Sequence, residues 1–373
     1  MRRFDVVIVG AGMAGASLAA EVAPHASVAI IEAEALPGYH ATGRSAAFWT
    51  ESYGGPDVQP LTSASGAFLA RPPADFAEQG FLTPRGALHL AAEADFATLD
   101  AFAARFASSG VALEPLDEAG IATRVPGLKA GPWRGLIEAS TADIDVAALH
   151  AAYLRAARAA GAELFCAAPL RVALRDGGRW RIDAGDAIGL EADLLVNAGG
   201  AWADEVARLA EATPLDIRPY RRTIAQLRVA PAVPADLPLV IDAAERFYFK
   251  PEAGGRLWLS PHDETPALAG DAAAEEIDVA TAIDRMGGVV DWTVERVERA
   301  WAGLRSFAPD RLPVYGLAAD APGFFWFAGQ GGFGIQTAPA AAKLGAALLL
   351  GQIPDAMVAG IDAERYLPAR FRR

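Results

Sequence analysis

FDVVIVGAGMAGASLAAEVAPHASVAIIE, residues 4–32, decides the fold of this 373-residue chain. Residues 4–9 are a short apolar, β-branched run and read as a buried strand. Gly10, Gly12 and Gly15 follow in Gly-x-Gly-x-x-Gly spacing. Residues 13–22 are small and helix-compatible, and 28–31 form a second apolar strand closed by Glu32. Each part has a physical role. Gly10 permits a tight turn out of the strand, Gly12 lets backbone approach a pyrophosphate, and Gly15 lets the helix lie close on the sheet. The helix start offers free N–H groups and a positive dipole end to phosphate. Glu32 lies close to the spacing of about 20 residues at which an acid binds a ribose hydroxyl. Strand, glycines, helix, strand and acid in this order predict a dinucleotide site. A signal peptide is excluded by the glycine pattern, by Asp5 and by the run into a second strand.

Composition narrows the function. With 53% hydrophobic and 21% charged residues, the chain reads as globular, with room for two domains. No apolar run reaches the roughly 18 residues of a membrane span. A net charge of −13 disfavours nucleic acid and anionic lipid as partners. Lys129, Lys250 and Lys343 are the only lysines, so arginine is the main carboxylate-binding side chain. Cys166 is the only cysteine and the five histidines lack ligand spacing, so no disulfide or metal site is expected and a reducing, cytoplasmic setting is.

Two further strand–glycine–helix units lie at residues 193–200 (DLLVNAGG) and 324–334 (FFWFAGQGGFG), with helices expected from 201 and over 335–350. With the first unit they predict an α/β, Rossmann-like nucleotide domain assembled discontinuously from 1–80, 142–215 and 308–373. The intervening 81–141 and 216–307 would form an α+β substrate domain with a mostly antiparallel sheet. Within them, 81–91, 133–138, 217–229, 238–241, 247–250 and 256–260 read as strands. Residues 61–76, 94–108, 117–125, 142–160 and 275–286 read as helices, and 171–174 with 180–182 as a hairpin. The last dozen residues are basic and read as peripheral. Ligands at such a switch point bind outside the strand carboxyl ends, so the active site is expected between the domains.

The first unit, TGRSAA (42–47), VNAGGAW (196–202) and FWFAGQGGFGIQTAP (325–339) together resemble the D-amino-acid oxidase superfamily of FAD enzymes. GYHATGRSAA, ADIDVAALH, FYFKP, WAGLRSF and GQGGFGIQT resemble most closely the bacterial FAD-dependent D-arginine dehydrogenases within it. The resemblance covers nearly the whole chain and implies hydride transfer from an amino-acid Cα to flavin. It implies non-covalent FAD, because the branch with a covalent flavin uses a cysteine near the C-terminus and Cys166 lies mid-chain. Gly10, Gly12, Met13, Ala14, Gly15, Glu32 and Ala33 would hold the ADP half. Gly43, Arg44, Ser45 and Ala46 would lie by the flavin, with Gly303 and Arg305. Asn197, Ala198, Gly199 and Trp202 would lie under the dinucleotide. Gly331, Gly332, Phe333, Gly334, Ile335 and Gln336 would bring N–H groups and a helix start to the flavin.

Arg305 falls where this family holds the substrate α-carboxylate, and a planar guanidinium suits that role. Tyr53 and Tyr248 fall on tyrosines of the substrate site. Arg222 matches an arginine of the same cavity; the alternative is a solvated strand residue. Two positions depart from the arginine dehydrogenases. Ala87 replaces the carboxylate that receives a guanidinium, and Phe48 replaces a histidine. An ion pair of this kind contributes about 1.5–3 kcal/mol. With Leu239 and Ile241 these residues predict an apolar pocket and a preference for neutral or hydrophobic D-amino acids, beside Gly332 and Phe333. Glu245 is the one residue nearby that would recruit a cation. Alternatives within the fold are an N-substituted glycine or a 2-hydroxy acid, and outside catalysis a flavin-binding sensor. A quinone, another soluble acceptor or O2 would reoxidise the flavin, the first with a peripheral place at the inner membrane.

Overall fold

The computed structural model describes residues 1–371. Along the chain, the elements that position the site are β1 (Arg2–Val9), α1 (Met13–Val22), β2 (Val28–Ile31), β3 (Ala87–Ala92), β4 (Trp133–Glu138), α2 (Val146–Ala159), β5 (Ile188–Asn197), β6 (Arg218–Ala230), β7 (Leu239–Asp242), β8 (Tyr248–Glu252), β9 (Thr293–Phe307), β10 (Phe324–Ala328) and α3 (Ala338–Leu350).

The first sheet is built on β1, which lies between β2 and β5 and runs parallel to both. Beyond β5, β10 joins in parallel at its C-terminal end and an antiparallel hairpin joins at its N-terminal end. Residues Val6–Val9 of β1 are buried on both faces, as central parallel strands require. Helices α1, α2 and α3 cover one face with an alanine-rich core that lets them pack closely. Ala203–Leu209 and the hairpin strands Leu170–Asp176 and Arg179–Ala184 enclose the other.

The second sheet holds β3, β4 and β6–β9 and is mostly antiparallel; β7 alongside β3 is a parallel pair. One face packs on Glu118–Arg124 and Glu276–Gly287 over an apolar core. The other faces the first sheet and carries Ala87, Ile224, Leu239, Ile241 and Tyr248. A small sheet of Phe48–Trp49, Leu82–Pro84 and Ala142–Ile144 bridges the two.

Three expectations need correction. Residues 142–144 are strand, and α2 begins only after Asp145, whose carboxylate caps it by accepting from Ala148 N–H at 2.9 Å. Helix α3 starts at Ala338, because 335–337 form a turn before Pro339. The C-terminal segment is not peripheral: Tyr366 is fully buried beside Tyr315, and its phenol donates to the Asp57 carbonyl. Residues 372 and 373 of that segment lie outside the described residues.

An ion-pair cluster ties the small sheet to the second. Asp143 accepts from buried Lys250 at 2.6 Å and from Arg85 at 2.6 Å. Asp143→Ala would leave a buried ammonium without a counter-charge, at a cost of about 3–5 kcal/mol. A lowered denaturant midpoint with unchanged m-value is the expected result.

Candidate active site

The register brings the three glycine turns together. Val9 lies beside Asn197, and Asn197 beside Trp326, so β1, β5 and β10 end in one row. Gly10 leaves β1 with φ +101°, and a Cβ there would lie 2.5 Å from the Ala198 carbonyl oxygen. A Cβ on Gly15 would lie 1.9 Å from the Gly10 carbonyl oxygen, so α1 touches its own strand turn. Gly12 caps α1 with no side chain, and the Met13 N–H donates to Thr42 Oγ1 at 2.9 Å. Glu32 ends β2 with its carboxylate turned back to this turn, accepting from Ala11 N–H at 2.7 Å and Glu34 N–H at 2.9 Å. His150, reaching from α2, donates from Nε2 to the Ala11 carbonyl at 2.9 Å. Burial lowers its pKa, which keeps the ring neutral.

A cleft of about 480 Å³ runs from these turns to the second sheet. Most of the expected cofactor residues line it: Gly10, Gly12, Met13, Ala14, Glu32, Ala33, Arg44, Ser45, Ala46, Ala198, Gly199, Trp202, Gly303, Arg305, Gly331, Gly332, Gly334, Ile335 and Gln336. Gly15, Gly43, Asn197 and Phe333 do not. Gly15 and Gly43 hold close backbone contacts instead. Asn197 is buried, donating to the Ala203 carbonyl at 2.7 Å and accepting from Gly199 N–H at 3.2 Å. The glycine cradle, the helix start and Glu32 lining one cleft fit the ADP half of FAD.

The far end of the cleft is built on the second sheet. In the β6–β9 pair Tyr220 opposes Arg305 and Arg222 opposes Gly303, so both arginines share a face. Gly303 leaves room for the chain at Arg44, whose guanidinium bonds the carbonyls of Ala272 and Ala302 and pairs with Asp271. Arg305 donates to the Tyr53 phenol at 2.5 Å. Gln336 holds the Tyr53 segment by donating to the Tyr53 carbonyl and accepting from Thr50 N–H.

Arg222 is 3% exposed, which rules out a solvated strand residue. Its Nε donates to the Asp263 carbonyl at 2.7 Å and Nη2 to Glu264 at 3.2 Å, while Nη1 and the Tyr248 hydroxyl are buried without a partner among the described residues. Burial, then the neighbouring Arg305, lowers the Arg222 pKa. Burial pulls Arg305 down as well, but Tyr53, Tyr248 and Glu264 outweigh it and the net shift is upward. Both guanidiniums stay charged. Two cations and two phenols meet at this end of the cleft, a charge arrangement suited to an anion.

Among the apolar residues expected around the substrate, Phe48 lines this cleft. Ala87 and Leu239 are fully buried in the cluster behind it. Ile241, Glu245 and Phe333 line a second cavity of about 350 Å³, which meets the first at Phe48, Tyr53 and Tyr248. No motif marks this cavity, nor His262 beside Tyr248. A lone histidine in a loop carries no spacing signal.

Burial, then Arg222 and Arg305, pushes the His262 pKa down to about 2. The folded value lies below the unfolded one, so the unfolded chain binds the proton first. The neutral ring therefore contributes stability that is present above about pH 6.5 and lost progressively as the solution is acidified. His262→Gln is expected to lose less stability than the parent between pH 7.5 and pH 5, read from denaturant midpoints.

Comparison with known proteins places the chain in a family. The family described as FAD dependent oxidoreductase matches residues 5–348. Glycine oxidase of Pseudomonas aeruginosa is 30% identical over 264 residues, covering 68% of this chain and 67% of that protein. Hydrogen cyanide synthase subunit HcnC of the same organism is 27% identical over 59% of this chain. The chain spans about half the length of that relative, 51%. The crystal structure of glycine oxidase from Geobacillus kaustophilus superposes with a TM-score of 0.87 at 23% identity, covering 100% of both chains. The chain thus belongs to the FAD dependent oxidoreductase family, whose model spans nearly all of it.

Proposed function

We propose that this enzyme oxidises D-amino acids to imino acids, which water then hydrolyses to 2-oxo acids and ammonia. The observation that carries the reading is the convergence of Arg305, Arg222, Tyr53 and Tyr248 at the far end of the cleft, with an Arg222 N–H and the Tyr248 phenol unpartnered among the described residues. Arg305 binds the α-carboxylate through its fork, Tyr53 orients that fork, and Tyr248 donates to the same carboxylate. FAD supplies the two-electron acceptor for the Cα hydrogen, transferred as hydride. Holding the carboxylate fixes the Cα–H direction and converts the reaction to an effectively unimolecular one. The anchored substrate needs a neutral amine, and the nearby cations favour release of its proton.

The D configuration rests on the sequence resemblance. Preference for neutral or hydrophobic side chains rests on Phe48 and Ile241 and on the absence of a carboxylate at Ala87. FAD is held non-covalently, and a quinone or another soluble acceptor reoxidises it. A second reading is favoured by the two arginines: an N-substituted glycine carrying a second carboxylate would engage both.

Anaerobic titration of the purified flavoprotein tests these readings. D-Leucine, D-methionine or D-phenylalanine is expected to bleach the flavin band while the L-forms do not. Bleaching only by N-carboxyalkyl glycines would establish the second reading. D-Arginine as the best substrate would overturn the side-chain preference.

A further inference from the structure

The second cavity ends in a polar cluster that the reaction above does not use. On β3, Ala87, His89 and Ala91 share a face, and Glu138 of β4 opposes Ala87 directly. Glu138 is fully buried, His89 is 6% exposed and Ser52 is 4% exposed. Glu138 accepts from Glu51 N–H at 2.7 Å, Ser52 N–H at 3.3 Å and the Ser52 hydroxyl at 2.5 Å. The single Ser52 hydroxyl proton is thereby used. Ser52 Oγ, 3.4 Å from His89 Nε2, can only accept from it. Glu138 Oε2, 3.5 Å from the same nitrogen, is also an acceptor. Nε2 therefore carries the proton, and in the neutral ring the other nitrogen keeps its lone pair. The ring lines the cavity and packs on Phe102, centroids 4.4 Å apart.

His89 is not needed to satisfy the carboxylate, which already has three donors. A structural role for Glu138, holding the backbone ahead of Tyr53, is complete without the imidazole. The cavity has a further mark of a ligand site: Glu245, His262 and Arg311, all lining it, have left-handed backbone at φ +56°, +54° and +67°. Of its charged lining residues, Asp57, Asp242, Glu264, Asp310 and Arg311 are held in ion pairs, which leaves Arg105 and Glu245, one charge of each sign, outside any ion pair among the described residues.

We propose that His89, oriented by Ser52 and Glu138, is a specificity-determining residue whose free ring nitrogen accepts a hydrogen bond from a neutral donor at the tip of the substrate side chain. The substrate class is then a D-amino acid with an apolar stem, passing Phe48 and Ile241, and a terminal amide or hydroxyl. This rests on the amino-acid-oxidising reading of the anion site. A cationic tip finds no available carboxylate beside His89, because Glu138 is fully buried and does not line the cavity, and an anionic tip meets a lone pair.

The test compares kcat/KM for D-glutamine and D-norleucine, side chains of similar length, on the holoenzyme. The parent is expected to use D-glutamine at least as well as D-norleucine. His89→Leu is expected to lower kcat/KM for D-glutamine by about tenfold or more while leaving D-norleucine within about threefold. His89→Gln, which keeps a donor for Ser52 and an acceptor for the chamber, is expected to recover part of the D-glutamine activity. A parent that prefers D-norleucine, or an unchanged ratio in a flavin-replete His89→Leu, overturns the proposal. D-Glutamate as the best substrate overturns it in favour of a charged imidazolium. If no D-amino acid bleaches the flavin of the parent, it is the underlying reading of the anion site that has failed. If His89→Leu loses its flavin, the parent ratio and His89→Gln still decide.

Discussion

Replacing Arg305 with methionine is expected to lower kcat/KM for the best substrate of the proposed reaction by about a thousandfold, since about 4 kcal/mol of transition-state binding is removed. The magnitude follows from the geometry. A forked guanidinium makes two charge-assisted hydrogen bonds to a carboxylate, each contributing about 1.5–3 kcal/mol. Its loss also frees Tyr53, whose phenol accepts from Arg305 at 2.5 Å. Methionine keeps the stem volume, so the change is chiefly in charge. Arg222 lies on the same sheet face but is held by the Asp263 carbonyl and Glu264, which limits its capacity to replace the fork. Arg305→Lys is expected to recover part of the loss, because a point charge attracts the carboxylate without fixing its plane. Steady-state kinetics with flavin content measured in parallel checks this. A loss under tenfold in a flavin-replete Arg305→Met would remove Arg305 as the carboxylate anchor and leave Arg222 in that role.

The same residue shows what a sequence can and cannot disclose. β9 carries Arg305, yet TVERVERAWAGLRSF (293–307) alternates charge with apolar residues along a half that is mostly exposed, and no apolar run marks it as a strand. Its place in the site comes from the family resemblance of WAGLRSF, and its geometry from pairing with β6, a partner about 80 residues away in sequence. β1 and β10, by contrast, contain unbroken buried apolar runs that announce themselves. Local chemistry is legible where one short segment suffices, as in the glycine turn and the acid at the end of β2. The second cavity is not, because it draws on the loops near 52–57, 242–245, 262–264 and 310–312 together with β3. Tyr366 is hidden for a related reason. Its basic neighbours conceal one aromatic that fills the space beside Tyr315.

Gly10 and Gly12 have different roles, and single alanines separate them. A Cβ at Gly10 lies 2.5 Å from the Ala198 oxygen and 3.1 Å from its carbon, and φ is +101°. Both obstacles are backbone, and Ala198 is itself tied to β1 through its N–H to the Val9 carbonyl at 3.0 Å. Relief requires the ends of β1 and β5 to part, which displaces the row on which the glycine turns are aligned. Gly10→Ala is therefore expected to lower the stability of the apoprotein by about 2–4 kcal/mol and to abolish FAD retention. A Cβ at Gly12 meets only Thr42 Oγ1, at 3.3 Å, a side chain that can turn aside. The apoprotein should tolerate it with little change in stability. The new methyl points to the space where backbone must approach the pyrophosphate, so FAD affinity should fall by about 10- to 100-fold, or about 1.4–2.7 kcal/mol. Thermal unfolding of both apoproteins, followed by FAD titration, separates the two effects. Unaltered FAD affinity in Gly12→Ala would mean that the pyrophosphate does not lie against this turn, and the cofactor would have to be placed anew within the cleft.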